Sequence, residues 1–421
     1  MRFFLALFFI FIIHQLSSQE LRYEDVNYQG NIRTVQLYPE GSSLETTIES
    51  PVISIRQSTP LLLEFDVFAR DFENFLVKLI HCNADWTPSR YSDIEILNEF
   101  NEFRINDFDY SFDTRAEYVH YWFTVPRVKI SGNYLIKVYR EGNEDQLILT
   151  RRFMVYSNRV TINTQVGQSL TISKQRSNQQ IDFKIDYTGL EVRDPFTQIM
   201  PVIRQNQRWD NAIVGLKPTM FRQSFSELEY FYLSEETNFQ AGNEFRFFDI
   251  RTLDFNGQGV AKVKTTEKEI TANLYQEKPR AEFAYSEYLD INGQFIINNL
   301  DRQNSLSEVN SEYATVNFFL EKEQPLDEEV YVFGALSDWE KSDSNKMSYN
   351  SARGGYEGSL YLKQGWYNFI YLTDGDNPYA LEGIHFETEN QYEILVYFRP
   401  IGARGDILLG YENIQHNNRR N

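Results

Sequence analysis

The stretch "YVHYWFTVPRVKISGNYLIKVYREGNEDQLILTRRFMVY", Tyr118 to Tyr156, holds three apolar runs, "YVHYWFTV", "NYLIKVYR" and "QLILTRRFMVY". Each is rich in the aromatic and β-branched residues that suit a half-buried sheet surface. Between the second and third lies "EGNED", whose Gly142-Asn143 suits a hairpin loop. The same rhythm runs upstream in "PVISI" from Pro51, "LLLEFDVF" from Leu61 and "FLVKLIHC" from Phe75. Six short strands in about 110 residues predict a β-sandwich. The acidic, phenylalanine-rich segment Asp93 to Asp113 lacks clean alternation and is expected as a long loop with, at most, a helical turn.

Beyond Tyr156 the pattern repeats twice. "SNRVTI", Ser157 to Ile162, ends one strand and begins another without a hairpin signal. It is followed by "QQIDFKIDYTG", "FTQIMPVIRQN", "ELEYFYL" and "EFRFFDIRTL". A polar stretch near residue 280 precedes "YATVNFFL", "EVYVF", "GWYNFIYL", "QYEILVYFR" and "DILLGYENI". No helical period is sustained. The expected fold is all-β, with three immunoglobulin-like or early-set sandwiches in series over residues 19–157, 158–280 and 281–421.

Residues 1–18 place Arg2 before an apolar run, Phe3 to Ile13, and end in small polar residues, the layout of a cleaved secretory signal peptide. The run is too short for a comfortable membrane span. The strands carry too much charge on both faces for a membrane barrel. The single cysteine, Cys82, permits no intrachain disulfide, and the net charge of −19 argues against a nucleic-acid partner.

Chemistry is sparse. The histidines stand singly, without metal-ligand spacing, and adjacent His81 and Cys82 would point to opposite faces of a strand, so they form no dyad. No GxSxG, P-loop or strand-linked GxGxxG occurs. "DGDN", Asp374 to Asn377, lacks the last ligand of a calcium loop and reads as a turn. No catalytic residue, metal or cofactor is expected, and no small-molecule substrate.

Glu329 to Leu372 resembles a carbohydrate-binding module of glycogen-sensing kinase subunits and starch-branching enzymes, with "GALSDW" supplying Trp339 and "GWYNFIYLTDG" the following strand and turn. Where that module carries lysine this chain has Asn368, and no tryptophan follows Asp374-Gly375. The resemblance therefore implies a fold more than a ligand, and a periplasmic glycan-binding role is the alternative function. A longer pattern, "LIHCNADWTPSRYSDIEILNEFNEFRINDFDYSFDTRAEYVHYWFTVP" at Leu79–Pro126 with "LEGIHFETENQYEILVYFRPIGARGDILLGY" at Leu381–Tyr411, resembles the type IX secretion system plug proteins. That resemblance implies a non-enzymatic periplasmic protein that docks on the large outer-membrane translocon barrel and closes it when no substrate is engaged. It carries over no contact residues. The five tryptophans are read as core, Trp122 foremost, with Trp339 alone offered as a candidate partner contact.

Overall fold

The computed structural model describes residues 19–417, apart from residues 42 and 303–305; the expected signal segment lies outside the described residues. The hairpin at the heart of the quoted stretch forms from strands Gly132–Arg140 and Asn143–Tyr156. Its turn sits one residue earlier than expected, at Glu141-Gly142, because Asn143 already pairs with Arg140. Gly142 takes φ +82°, which a residue without a Cβ adopts at little cost.

The first sandwich packs two sheets. One orders Val26–Asn27, Asn143–Tyr156, Gly132–Arg140, Phe75–Cys82 and Phe103–Arg104, with Val52–Ser54 running parallel beside Asn143–Tyr156. The other orders Ile32–Pro39, Leu61–Val67, Val119–Thr124 and Asp107–Tyr110. Alternation turns Leu63, Phe65, Val77, Leu79, Tyr121, Phe123, Ile136 and Val138 into the shared core. Each such side chain stabilises the fold by about 1.5–3 kcal/mol relative to exposure. The same alternation corrects the reading of Trp122: with Tyr121 and Phe123 inside, Trp122 must face outward, where it is half-buried beside His120. The segment expected as a long loop also contains more structure. A capping box of Ser92 and Glu95 starts the helical turn Asp93–Ile96, and Phe103–Arg104 and Asp107–Tyr110 each join a sheet edge.

The remaining strands do not form sandwiches in series. Asn390–Phe398 and Ile407–His416, expected in the third sandwich, instead build a sheet with Ile199–Gln205. That sheet closes the middle sandwich over Thr161–Gln168, Asn178–Asp186, Glu227–Tyr230 and Met220–Arg222, with Asn238–Gln240 beside Asn178–Asp186. The third sandwich is therefore inserted within the middle one. Its nine strands run in one strongly curved sheet that folds over a core of Phe248, Val316, Phe318, Val332, Tyr367 and Phe369.

The cause is visible in strand Asn390–Phe398, all nine residues of which are buried. Tyr392, Ile394 and Val396 face the middle core, while Leu395 and Tyr397 pack with Leu408 and Val202 against Cys82, Leu135 and Met154 of the first sandwich. A strand apolar on both faces needs a layer on each side, and its place between the middle core and the first sandwich supplies both. Its one carboxylate, Glu393, is paired with buried Arg204 at 2.8 Å and accepts from Tyr411 at 2.7 Å.

The first and third sandwiches meet through charge. Asp66 and Lys363 are both sealed from solvent and pair at 2.6 Å. Tyr313 donates to the same carboxylate oxygen at 2.6 Å, and His120 Nδ1 donates to the other at 2.7 Å. The charged forms are held in place: burial opposes ionisation of Asp66, but Lys363 and His120 outweigh it and lower its pKa. Burial likewise opposes charge on His120, and hydrogen bonds with Asp66 and Glu64 prevail to raise it. No helix among the described residues is long and apolar enough to cross a membrane.

Candidate functional site

One tryptophan from each sandwich lines a single groove of about 900 Å³ where the three meet. Trp86 belongs to the tight turn after Phe75–Cys82, in which the Trp86 N–H donates to the Asn83 carbonyl and the Asn83 N–H to that of Thr87. Trp209 sits on the turn that follows Ile199–Gln205, and Trp339 follows the short 3-10 turn Ala335–Ser337. Trp86 and Trp209 stand edge to face with centroids 5.1 Å apart. The Arg152 guanidinium lies 4.4 Å from the Trp86 ring and 5.4 Å from that of Trp209, while Arg204 lies 4.6 Å from Trp209. Trp339 is set edge-on against Phe333 and Phe245, at 5.6 and 6.0 Å.

These positions are held in costly backbone. Trp86 has φ +65°, Gln207 +63°, Asp338 +52° and Trp339 +57°, and all four residues line the groove. Side chains with a Cβ avoid this left-handed region, at a cost of about 1–3 kcal/mol each. Strain of this kind persists only where surrounding structure fixes it, and it concentrates at sites with a use.

The electrostatics are acidic. Six carboxylates and two cationic side chains line the groove. Asp338 accepts from Arg151 at 3.0 Å and Asn27 at 2.8 Å, both of the first sandwich. Even so, burial raises its pKa, with Arg151 offsetting only part and Asp25 adding repulsion. Burial also raises Glu340, against the pull of Arg22 at 3.4 Å. Arginines behind the lining balance most of this charge: Arg22 pairs with Glu24 and Glu340, Arg151 with Asp338 and Arg208 with Asp210. Arg152 instead donates from its Nε to the Tyr23 carbonyl at 2.7 Å, and burial lowers its pKa.

Trp339, the contact candidate from the sequence, is thus brought to this groove, half-buried. Trp86, read from the sequence as core, is buried in the apolar seam with Trp209 packed against the same cluster, and both also line the groove. The available signal was their setting in polar turns, "CNADWTP" and "RQNQRWDN", rather than in alternating runs. Trp366 lies elsewhere, stacked on Phe247 at 4.8 Å. Asn368, the counterpart of the sugar module's lysine, is completely buried and accepts from the Ile291 backbone at 2.6 Å, so it presents nothing to a ligand. With Trp339 edge-on to two rings, no flat stacking platform forms. Cys82 is buried, and burial pushes its thiol up to about 12, which leaves it inert. Burial lowers neighbouring His81 to about 4. Asp374 caps a turn by accepting from the Glu329 backbone at 2.9 Å. Among the described residues no three His, Cys, Asp or Glu side chains are grouped to hold a metal ion.

The chain is similar to a hypothetical protein from Parabacteroides merdae whose crystal structure is known, with 30% identity and a TM-score of 0.88. The match covers 94% of this chain and 100% of the other, so the nested arrangement extends across both. No curated protein matches. The family described as "Type 9 secretion system plug protein 1st domain" matches residues 32–157, which are the strands of the first sandwich from Ile32–Pro39 onward. That matched domain ties the protein to type IX secretion: its first sandwich belongs to the type IX secretion system plug protein family.

Proposed function

We propose that this protein is a non-enzymatic periplasmic plug that docks on the periplasmic opening of the type IX outer-membrane translocon and closes it when no substrate is engaged. The observation that carries the reading is mechanical. The family's plug domain, the first sandwich, is fixed to both of its neighbours, by an apolar seam to the middle sandwich and by a buried charge network to the third. A stopper for a wide pore works by bulk and stiffness and needs no reactive group. A compact chain of this length has a radius of gyration of about 22 Å. Moderate contacts suit a closure that a conformational change in the barrel must release.

Affinity capture from solubilised outer membranes tests the docking, and the expected result is recovery of a large barrel protein. Deletion of the gene tests the sealing: uptake of solutes normally excluded by the outer membrane should rise. Capture without a barrel, or an unchanged permeability barrier, overturns the reading.

A further inference from the structure

The first sandwich ends on one side in an open sheet edge. Strand Asp107–Tyr110 pairs with Val119–Thr124, and no other strand among the described residues lies beside it. Just past its end the Ser111 N–H donates to the Tyr118 carbonyl at 2.9 Å, while the next N–H, that of Phe112, turns the other way to the Val309 carbonyl at 3.0 Å. In an antiparallel pair, successive residues point their backbone groups alternately toward and away from the partner. Phe108 and Tyr110 therefore turn N–H and C=O to the open side, where they form a template for a further strand.

The two faces of this edge differ in chemistry. On the core side Phe108 stacks on Phe72 at 4.8 Å and meets Tyr110 edge-on at 6.0 Å, and Phe72 and Tyr110 are each 46% exposed. The cations that cover rings elsewhere in the first sandwich lie over Trp86, Tyr118 and Tyr139 instead. On the opposite face Asp107 and Asp109 are exposed and enter no ion pair among the described residues. The arginines of the adjoining loops are committed elsewhere: Arg70 to Glu117, Arg115 to Glu312 and Arg302 to Asp113. Charge on an edge guards it against pairing with its own kind. Carboxylates guard it selectively, because a strand bearing cations at the facing positions is attracted where an acidic one is repelled. The half-exposed rings on the other face offer no such protection and favour cover.

We propose that Asp107–Tyr110 receives an extended strand of a partner protein in which lysine or arginine alternates with apolar residues. The added strand would continue the sheet, with its cations beside Asp107 and Asp109 and its apolar side chains over Phe72 and Tyr110. So short an edge admits only a few backbone hydrogen bonds, which suits a contact that has to be released. Naming the partner as the translocon rests on the docking reading above; the chemistry of the strand does not.

The test uses the full chain with two synthetic peptides, TKVRVKT and its acidic counterpart TEVDVET, and reads amide hydrogen exchange residue by residue. At millimolar concentration the basic peptide should slow exchange at Phe108 and Tyr110 about tenfold or more, and the acidic one should leave both unchanged. Tyr110→Pro deletes an outward N–H that the folded sheet does not use, so the fold should persist while affinity falls about tenfold beyond that of Tyr110→Ala, which removes only the ring. Asp107→Asn combined with Asp109→Asn should weaken binding about tenfold at low salt, with the difference shrinking as salt is raised. No slowing by the basic peptide, equal slowing by the acidic one, or equal affinity of the proline and alanine variants overturns the assignment. Growth of molecular mass with concentration that Tyr110→Pro abolishes would give the edge to a second copy, through the Lys262 and Lys264 of its own edge strand Val260–Thr265, and would also overturn it. Capture of the barrel separates this idea from docking. Peptide binding without barrel capture removes the docking reading and leaves the edge standing. Barrel capture unaffected by Tyr110→Pro leaves docking and removes the edge from it.

Discussion

The first sandwich has two seams of opposite chemistry. Toward the middle sandwich, Cys82, Leu135 and Met154 meet Leu395, Tyr397 and Leu408. Toward the third, Asp66, His120 and Lys363 form a sealed polar network with Tyr313. The apolar seam draws its strength from area and tolerates modest shifts. The polar seam stands only while every partner is in place, because each group left behind would be a buried, uncompensated charge. One fixes that the sandwiches adhere, and the other fixes how they are oriented.

The largest effect should come from breaking the polar seam on one side. Lys363→Met leaves the Asp66 carboxylate without its nearest cation and should cost about 3–5 kcal/mol in urea unfolding. Adding Asp66→Asn should recover much of that loss; if the double variant is as unstable as the single one, the seam owes its strength to packing. Leu395→Ala on the apolar seam should cost about 3 kcal/mol through the cavity it opens. Unlike that of the charge variant, its cost should be independent of pH.

Acidity separates the seams further. His120 has a pKa raised above its ordinary 6.5, so its contribution is fully present below 6.5 and is lost as pH climbs through the raised value. Asp66 and Glu64 are lowered from 3.8 and 4.5, so theirs is present above those values and is lost as pH falls through the lowered ones. The network is thus most effective between about 4.5 and 6.5. His120→Gln should cost about 1–2 kcal/mol within that window, and the difference from wild type should shrink as pH rises beyond it. A constant difference across the range would show that the imidazole acts there as a neutral spacer. The smallest effect belongs to Arg70→Ala, which removes an ion pair with Glu117 at 3.1 Å whose arginine side chain is 88% exposed. No change in the urea midpoint should be detectable, since solvent screens such a pair.

The seams also mark where the sequence stopped being legible. Alternation in Leu61–Val67 and Phe75–Cys82 discloses strands, faces and a sandwich, because side-chain period is a local property. It reveals less about partners. Strand Asn390–Phe398 reads as an apolar run wherever it is placed, and its pairing with Ile199–Gln205 spans nearly half the chain. The same limit applies to the groove. Trp339 stood out by following a strand in a turn, while Trp86 and Trp209 declare themselves only when turns far apart in sequence are brought together. Trp122 shows the reverse error: sited within an obvious strand, it was assigned to the core when register put Tyr121 there instead.

The insertion of the third sandwich has a consequence for how the chain is made. Synthesis runs from the amino end, and domains fold largely as their last strands emerge. The third sandwich has all its strands by Thr373, whereas the middle one still awaits Asn390–Phe398 and Ile407–His416. The sandwich begun second is therefore finished last, and the final segment of the chain completes both its core and the wall against the first sandwich. A chain cut short before Asn390 would keep a finished third sandwich on an open middle one, so that docking of the last two strands is itself the checkpoint for assembly of the whole body.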